Sequence, residues 1–227
     1  MPSGSSKPSR SSDAHPAKPR AGRPSRDAAG QLRDRILDAA TELLLSHGYG
    51  ATSIEAIARR ARVSKRTFYH RFADKAALMS AVVVKLIDSL RPPARVVLIK
   101  GEHLEPILLH LGSLILHAAL DARVLQLQRL IVAESGRFPE LASAVAKAGG
   151  RQEAVALIGD LLLRHERVAP SQAAFAAQQF LQMIVSLPQL RAIGLGAPMK
   201  PEELHAWVRG TVALFLEGLA GLAKGSP

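Results

Sequence analysis

Apolar positions return every three or four residues along most of the chain, the period of helices that bury one face. From Gln31 to Ser46 the stripe is Leu32, Ile36, Ala39, Ala40, Leu43 and Leu44, with Arg33, Asp34, Arg35, Asp38 and Glu42 falling mostly between. Gly48 and Gly50, either side of Tyr49, then break the chain into a turn. Thr52 and Glu55 have the spacing of a capping box, and Ile54, Ile57, Ala58 and Ala61 give a second, short helix its apolar face. Ser64 can cap a third, from Lys65 to Arg71. On it Phe68 and Phe72 stand four apart and can face inward, leaving Lys65, Arg66, Thr67, Tyr69, His70 and Arg71 around the remaining surface. So short a helix is stable only when packed on others, which frees its polar face for a duplex groove. Asp74 is placed to cap a longer helix beginning near Lys75.

The rest of the chain continues in helices: Lys75 to Leu90, ended by Pro92-Pro93, then Leu104 to Leu120, Ala122 to Glu134, and Glu140 to Glu166 with a break at Gly149-Gly150. Arg95 to Lys100 fits either extended or helical structure. Val168 to Leu190 contains no charge, but Gln172, Gln178, Gln179, Gln182 and Gln189 argue for burial against protein rather than a membrane span. Within it Phe175, Gln179, Phe180, Met183, Ile184 and Leu187 make one side of a helix bounded by Pro170 and Pro188. Glu202 to Ala223 repeats the theme with Leu204, Trp207, Val208, Thr211, Phe215, Leu216 and Leu219. The fold class is therefore all-α: a three-helix N-terminal unit over residues 27–75 and a larger helical domain over 76–227.

Charge sharpens this division. The 227 residues carry a formal charge of +11 and are 48% hydrophobic. Residues 1–75 hold 15 Lys and Arg against 7 acids, whereas 76–227 hold 15 against 12, so the positive field lies over the short helices, where phosphates would need neutralising. Residues 1–26 are rich in Ser, Pro, Gly and Ala and have no apolar core, so they are expected to be a disordered basic tail rather than a secretory signal. Its Lys18, Arg20, Arg23 and Arg26 suit either an arm for the minor groove or a plain soluble extension. Cysteine is absent, which removes disulfides and thiolate metal sites and suits a cytoplasmic setting.

The run Arg35-Ile-Leu-Asp-Ala-Ala-Thr-Glu-Leu-Leu, then Gly48-Tyr-Gly-Ala-Thr-Ser-Ile, then Ile57-Ala-Arg-Arg-Ala-Arg-Val-Ser-Lys-Arg-Thr-Phe-Tyr-His-Arg-Phe-Ala-Asp-Lys resembles the N-terminal domain of TetR-family transcriptional regulators over residues 22–82. Arg62 and Arg66 depart from it, standing where many members carry glycine. A second stretch, Leu127-Gln-Arg-Leu-Ile-Val-Ala-Glu-Ser-Gly-Arg-Phe-Pro-Glu-Leu, resembles the C-terminal domain of the AefR-like subgroup.

The resemblance implies a homodimer that binds a palindromic double-stranded DNA operator, most often as a repressor, and leaves it when a small-molecule effector enters the helical domain. It puts Thr52, Ser64, Tyr69, Arg71 and Lys75 at positions that touch phosphate. Lys65, Arg66, Thr67 and His70 are the candidates for base edges, Arg66 foremost because a guanidinium can bond guanine O6 and N7 together. It also implies dimerisation through the last two long helices, making Phe175, Gln179, Phe180, Met183, Trp207, Thr211 and Phe215 the expected interface.

His103, His110 and His117 recur every seven residues, about 10 Å apart along a helix axis, too far to share one ion, so no metal site is expected. His110 and His117 remain candidates for lining an effector pocket. No HExxH, phosphate-cradling glycine loop, GxSxG elbow or paired-carboxylate spacing is present, so neither catalysis nor a cofactor is expected. A ligand-independent architectural or co-regulatory DNA-binding protein is the alternative reading.

Overall fold

A computed structural model describes residues 26–90, 103–165 and 169–224, with side chains from 28 to 221 within those spans. The expected basic tail with Arg23, and the ambiguous segment 95–100, lie outside the described residues. Within them the chain folds into α1 (Arg26–His47), α2 (Ile54–Arg60), α3 (Lys65–Tyr69), α4 (Lys75–Leu90), α5 (Leu104–Ala119), α6 (Ala122–Glu134), α7 (Pro139–Lys147), α8 (Gly150–His165), α9 (Pro170–Ala192) and α10 (Pro201–Lys224). No strand is assigned among the described residues, and no single helix there is long and apolar enough to cross a membrane.

Two apolar cores organise these helices. The first gathers Ile36, Leu37, Ala40 and Leu44 of α1, Ile57 of α2, Phe68 and Phe72, and Leu78, Met79, Val82 and Val83 of α4. It also takes in Leu127 and Leu130 of α6 and Leu141 and Ala144 of α7, so it crosses the expected boundary at residue 75. The second joins Leu108 and Leu111 of α5, Ile158 and Leu162 of α8, Ala177, Phe180 and Ile184 of α9, and Val208, Val212 and Phe215 of α10.

Helix ends follow local chemistry. Gly48, at φ 86°, closes α1 with its N–H donating to Leu44 O at 3.0 Å. The cap of α2 is Ser53 rather than Thr52: Ser53 Oγ accepts from Ala56 N at 3.1 Å. Thr52 is only 3% exposed, its hydroxyl aimed at Gly48 O at 2.7 Å and Leu43 O at 3.1 Å. Ser64 caps α3 as expected, accepting from Thr67 N at 3.1 Å, although α3 stops at Tyr69 instead of Arg71. Asp74 Oδ1 caps α4 by accepting from Ala77 N at 2.7 Å. The break expected at Gly149-Gly150 separates α7 from α8, Gly149 holding φ 79°. At Gly150 a Cβ would stand 2.6 Å from Ile87 Cδ1, so glycine lets α8 approach α4.

The expected stop at Pro188 does not occur; α9 runs through it to Ala192. A proline at 188 has no N–H for Ile184 O, the carbonyl four residues back. Trp207 Nε1 of α10 donates to that same carbonyl at 3.1 Å, replacing the missing backbone donor.

Candidate nucleic-acid interface

The turn between α2 and α3 sets the direction of α3. Val63 N donates to Ala58 O at 2.9 Å and Arg62 N to Arg59 O at 3.1 Å, the paired bonds of a Schellman motif. That motif needs a left-handed residue before Val63, and Arg62 supplies it at φ 55°, the only described non-glycine residue with positive φ. The family's glycine at this position, absent here, thus corresponds to a real backbone demand.

Beyond the turn, α3 divides as its sequence indicates. Phe68 is fully buried and Phe72 nearly so, their ring centroids 5.7 Å apart. Lys65, Arg66, Tyr69, His70 and Arg71 are exposed and Thr67 is half-buried. Tyr69 packs edge-on against Phe68 at 5.5 Å and still keeps 52% of its surface in solvent. One strip therefore brings hydroxyl, guanidinium, imidazole and phenol groups together, the donors that phosphates and base edges accept.

Not every expected contact residue is free to act. Thr52 is withdrawn from any phosphate, because its hydroxyl is buried against two carbonyls. Lys65 is paired with Glu55 of α2, and chiefly through their hydrogen bond Glu55 falls below its usual value while Lys65 rises above. Lys75 turns inward: its ammonium donates to Tyr49 O and sits 4.1 Å over the Tyr49 ring. Burial holds Lys75 below the ordinary lysine value, opposed by the charges of Glu134 and Glu140. Expected at a phosphate, its ammonium is here placed on the α1–α2 loop instead. Arg60 is paired with Glu42 of α1 at 2.7 Å, whereas Arg59 and Arg62 are exposed beside α3.

Two sets of residues in the second half are relocated. Phe180 is fully buried within the single chain, 4.9 Å from Phe215, so both belong to its own core rather than to a subunit interface. Thr211 is likewise buried, at 7% exposure. Phe175 is 54% exposed and Gln179 is also exposed, while Met183 and Trp207 are half-buried. Met183, Leu187, Trp207 and Leu214 line an open groove between α9 and α10, with Leu214 62% exposed. The sequence stripe ran together two adjacent faces of α9, because a helix buried on one side and apolar on the next shows no polar gap between them. His110 and His117, the candidates for lining an effector pocket, are both exposed on α5.

Comparison with known proteins agrees with this geometry. Residues 36–82 match the family model for bacterial regulatory proteins of the tetR family, and residues 106–218 that for the C-terminal domain of AefR-like transcriptional repressors. The HTH-type transcriptional regulator UidR of Escherichia coli strain K12 is 33% identical over 119 residues, 51% of this chain and 57% of UidR. The chain thus aligns with little more than half the length of that relative. Among solved structures, a TetR-family regulator from Mesorhizobium loti is 26% identical, with 84% of this chain and 97% of that one covered and a TM-score of 0.67. The flavonoid-responsive regulator FrrA is 29% identical, with coverages of 83% and 97% and a TM-score of 0.66.

Proposed function

The chain belongs to the TetR family of transcriptional regulators, with a helix-turn-helix DNA-binding domain at its N-terminal end, and from that premise we propose a homodimeric repressor released from a palindromic operator by a small molecule. The observation that carries this reading is α3: a Ser64-capped helix with Phe68 and Phe72 buried and Arg66, Tyr69, His70 and Arg71 turned outward. Arg66 reads a guanine through two parallel hydrogen bonds. Ser64, Tyr69 and Arg71 hold the backbone and fix the register.

Dimerisation uses the uncovered faces of α9 and α10, where Met183, Leu187 and Leu214 line one groove and Phe175 stands exposed nearer the start of α9, on helices whose other sides already form the second core. Two such pairs across a two-fold axis make a four-helix interface and set the heads for successive major grooves, about 34 Å apart. An effector that favours another head spacing lowers operator affinity by its difference in affinity for the two states.

Selection from a random duplex pool with the full chain tests the first half of this reading; enrichment of an inverted repeat is expected, and recovery without symmetry would reject paired heads. For the effector, flavonoids are the first probes, since they are the class named for FrrA. A flavonoid that raises the unfolding temperature and releases the selected duplex supports derepression.

A further inference from the structure

We propose that the segment 134–140, between the end of α6 and the start of α7, is a positioning clasp that fixes the reading head relative to the dimer helices. The inference rests on the paired-head reading above, but its observations are independent of α3. In the α1–α2 loop, Gly48-Tyr49-Gly50, the N–H groups of Tyr49 and Gly50 point beyond the end of α1. Glu134 answers them with both carboxylate oxygens: Oε1 accepts from Tyr49 N at 2.9 Å and Oε2 from Gly50 N at 2.7 Å. A carboxylate bound to two N–H groups fixes a plane as well as a distance, which a single bond would not do.

The rest of the segment closes around the same loop. Phe138 meets the Tyr49 ring edge-on at 5.3 Å, and its Cε2 and Cζ would stand 3.1 Å from a Cβ at Gly50. At Gly48 a Cβ would collide with Glu134 Oε1, and φ there is already left-handed, so any side chain both strains the turn and displaces the carboxylate. Glu140 lies by the Tyr49 phenol, whose value is pushed up to about 12 by burial first and then by the charge of Glu140 and a hydrogen bond to it. From the head side Lys75 holds Tyr49 O. Tyr49 is thus gripped at its N–H, carbonyl and ring.

The other end of the linkage is on α6 as well. Arg129 Nη2 donates to Ala192 O at 2.7 Å and its Nε to Ile193 O at 3.3 Å, tying α6 to the C-terminal end of α9. A continuous path of bonds therefore runs from a dimer helix, through Arg129 and Glu134 on one rigid helix, to the loop that enters α2. If α9 sets the two-fold axis, this path sets where each head lies from it.

Glu134→Ala in the full-length protein tests the clasp on two probes: the palindromic duplex selected by the wild type and a duplex bearing only one of its half-sites. Palindrome affinity is expected to fall about tenfold or more, as for loss of two charge-assisted hydrogen bonds, with half-site affinity hardly changed. Glu134→Gln, which retains one acceptor oxygen, should restore part of the loss, and Gly50→Ala should reproduce it from the head side. Equal losses on both duplexes would overturn the proposal, because Glu134 would then only keep the head folded; so would an undiminished palindrome affinity. Should the wild type show no preference for a palindrome, the paired-head reading fails by itself. The clasp is then decided by hydrogen exchange: faster exchange at the Tyr49 and Gly50 amides in Glu134→Ala, with α2 and α3 still protected, sustains it, and unchanged exchange overturns it.

Discussion

Trp207→Phe tests whether α9 tolerates its internal proline because α10 satisfies the carbonyl that the proline leaves open. Trp207 Nε1 donates to Ile184 O at 3.1 Å, and residue 188, which would ordinarily donate there, is proline. Phenylalanine keeps most of the ring volume and removes the donor. A part-buried carbonyl left without a partner costs about 1–2 kcal/mol, so the variant should lose that much stability. For a chain of this size about 1 kcal/mol lowers the midpoint by about 2–4 °C. The mechanism makes a sharper demand in the Pro188→Ala background, where the backbone regains an N–H at that position and Ile184 O no longer depends on the indole. There the same Trp207→Phe change should cost about 1 kcal/mol less, a coupling read from a double-mutant cycle. Urea unfolding followed by far-ultraviolet circular dichroism suits all four proteins, since Trp207 is the only tryptophan and fluorescence would vanish with it. Protein concentration must be held constant, because self-association of the proposed kind adds to apparent stability. An equal cost in both backgrounds would refute the reasoning: the indole would then stabilise by packing alone.

Arg62→Gly should be more stable than Arg62→Ala by about 1 kcal/mol in the same urea assay, since both remove the guanidinium and only glycine relieves the left-handed backbone at φ 55°. Phe180→Ala should destabilise the fold by about 3–5 kcal/mol, whereas Phe175→Glu should leave each chain folded and shift sedimentation towards monomer. Arg66→Ala should weaken the selected operator by about 1–3 kcal/mol in titration and relax preference at one base pair; equal losses on operator and random duplex would reassign Arg66 to phosphate.

The head was legible because its signals are local. Ser64 and Asp74 cap the helices that follow them, Phe68 and Phe72 share one face, and glycines mark the turns, all within a few residues of one another. Thr52 was misread for the same reason: Ser53 beside it carries an equivalent hydroxyl, and only the packing of α1 against the loop decides which of the two is buried. Lys65 and Lys75 looked alike as cations. Their fates depend on Glu55 in a neighbouring helix and on the carbonyl of Tyr49, partners outside their own helix turns. The division of α9 into core and uncovered faces was equally hidden, because Phe175 and Phe180 are chemically alike and only their neighbours in α8 and α10 distinguish them. Glu134 gave no local signal at all; its partners lie 84 and 85 positions earlier in the chain.

The boundary at residue 75 separates roles but not cores. Leu127, Leu130, Leu141 and Ala144 belong to the same apolar cluster as Ile36, Phe68 and Leu78, so moving α1 to α3 away from α6 and α7 would expose several large side chains. Exposing a fully buried leucine costs about 1.5–3 kcal/mol, so three of them together exceed the coupling energy of about 1–3 kcal/mol typical of allosteric effectors. A head that pivots alone is therefore the expensive motion. The cheaper one carries α4, α6 and α7 with the head as a single body, and Lys85 of α4, bonded to Asp38 of α1 at 2.8 Å and within 3.3 Å of Asp34, strengthens that unit without crossing to the second core. What must then yield is the seam between the two cores, where Arg129 meets the end of α9 and Gln189 Nε2 donates to Ala119 O at 2.9 Å. Those bonds are polar, and Ile87 of α4 against Gly150 of α8 adds a close apolar contact between the two bodies. On the proposed reading, in which an effector alters head spacing, this seam is where its differential affinity would act.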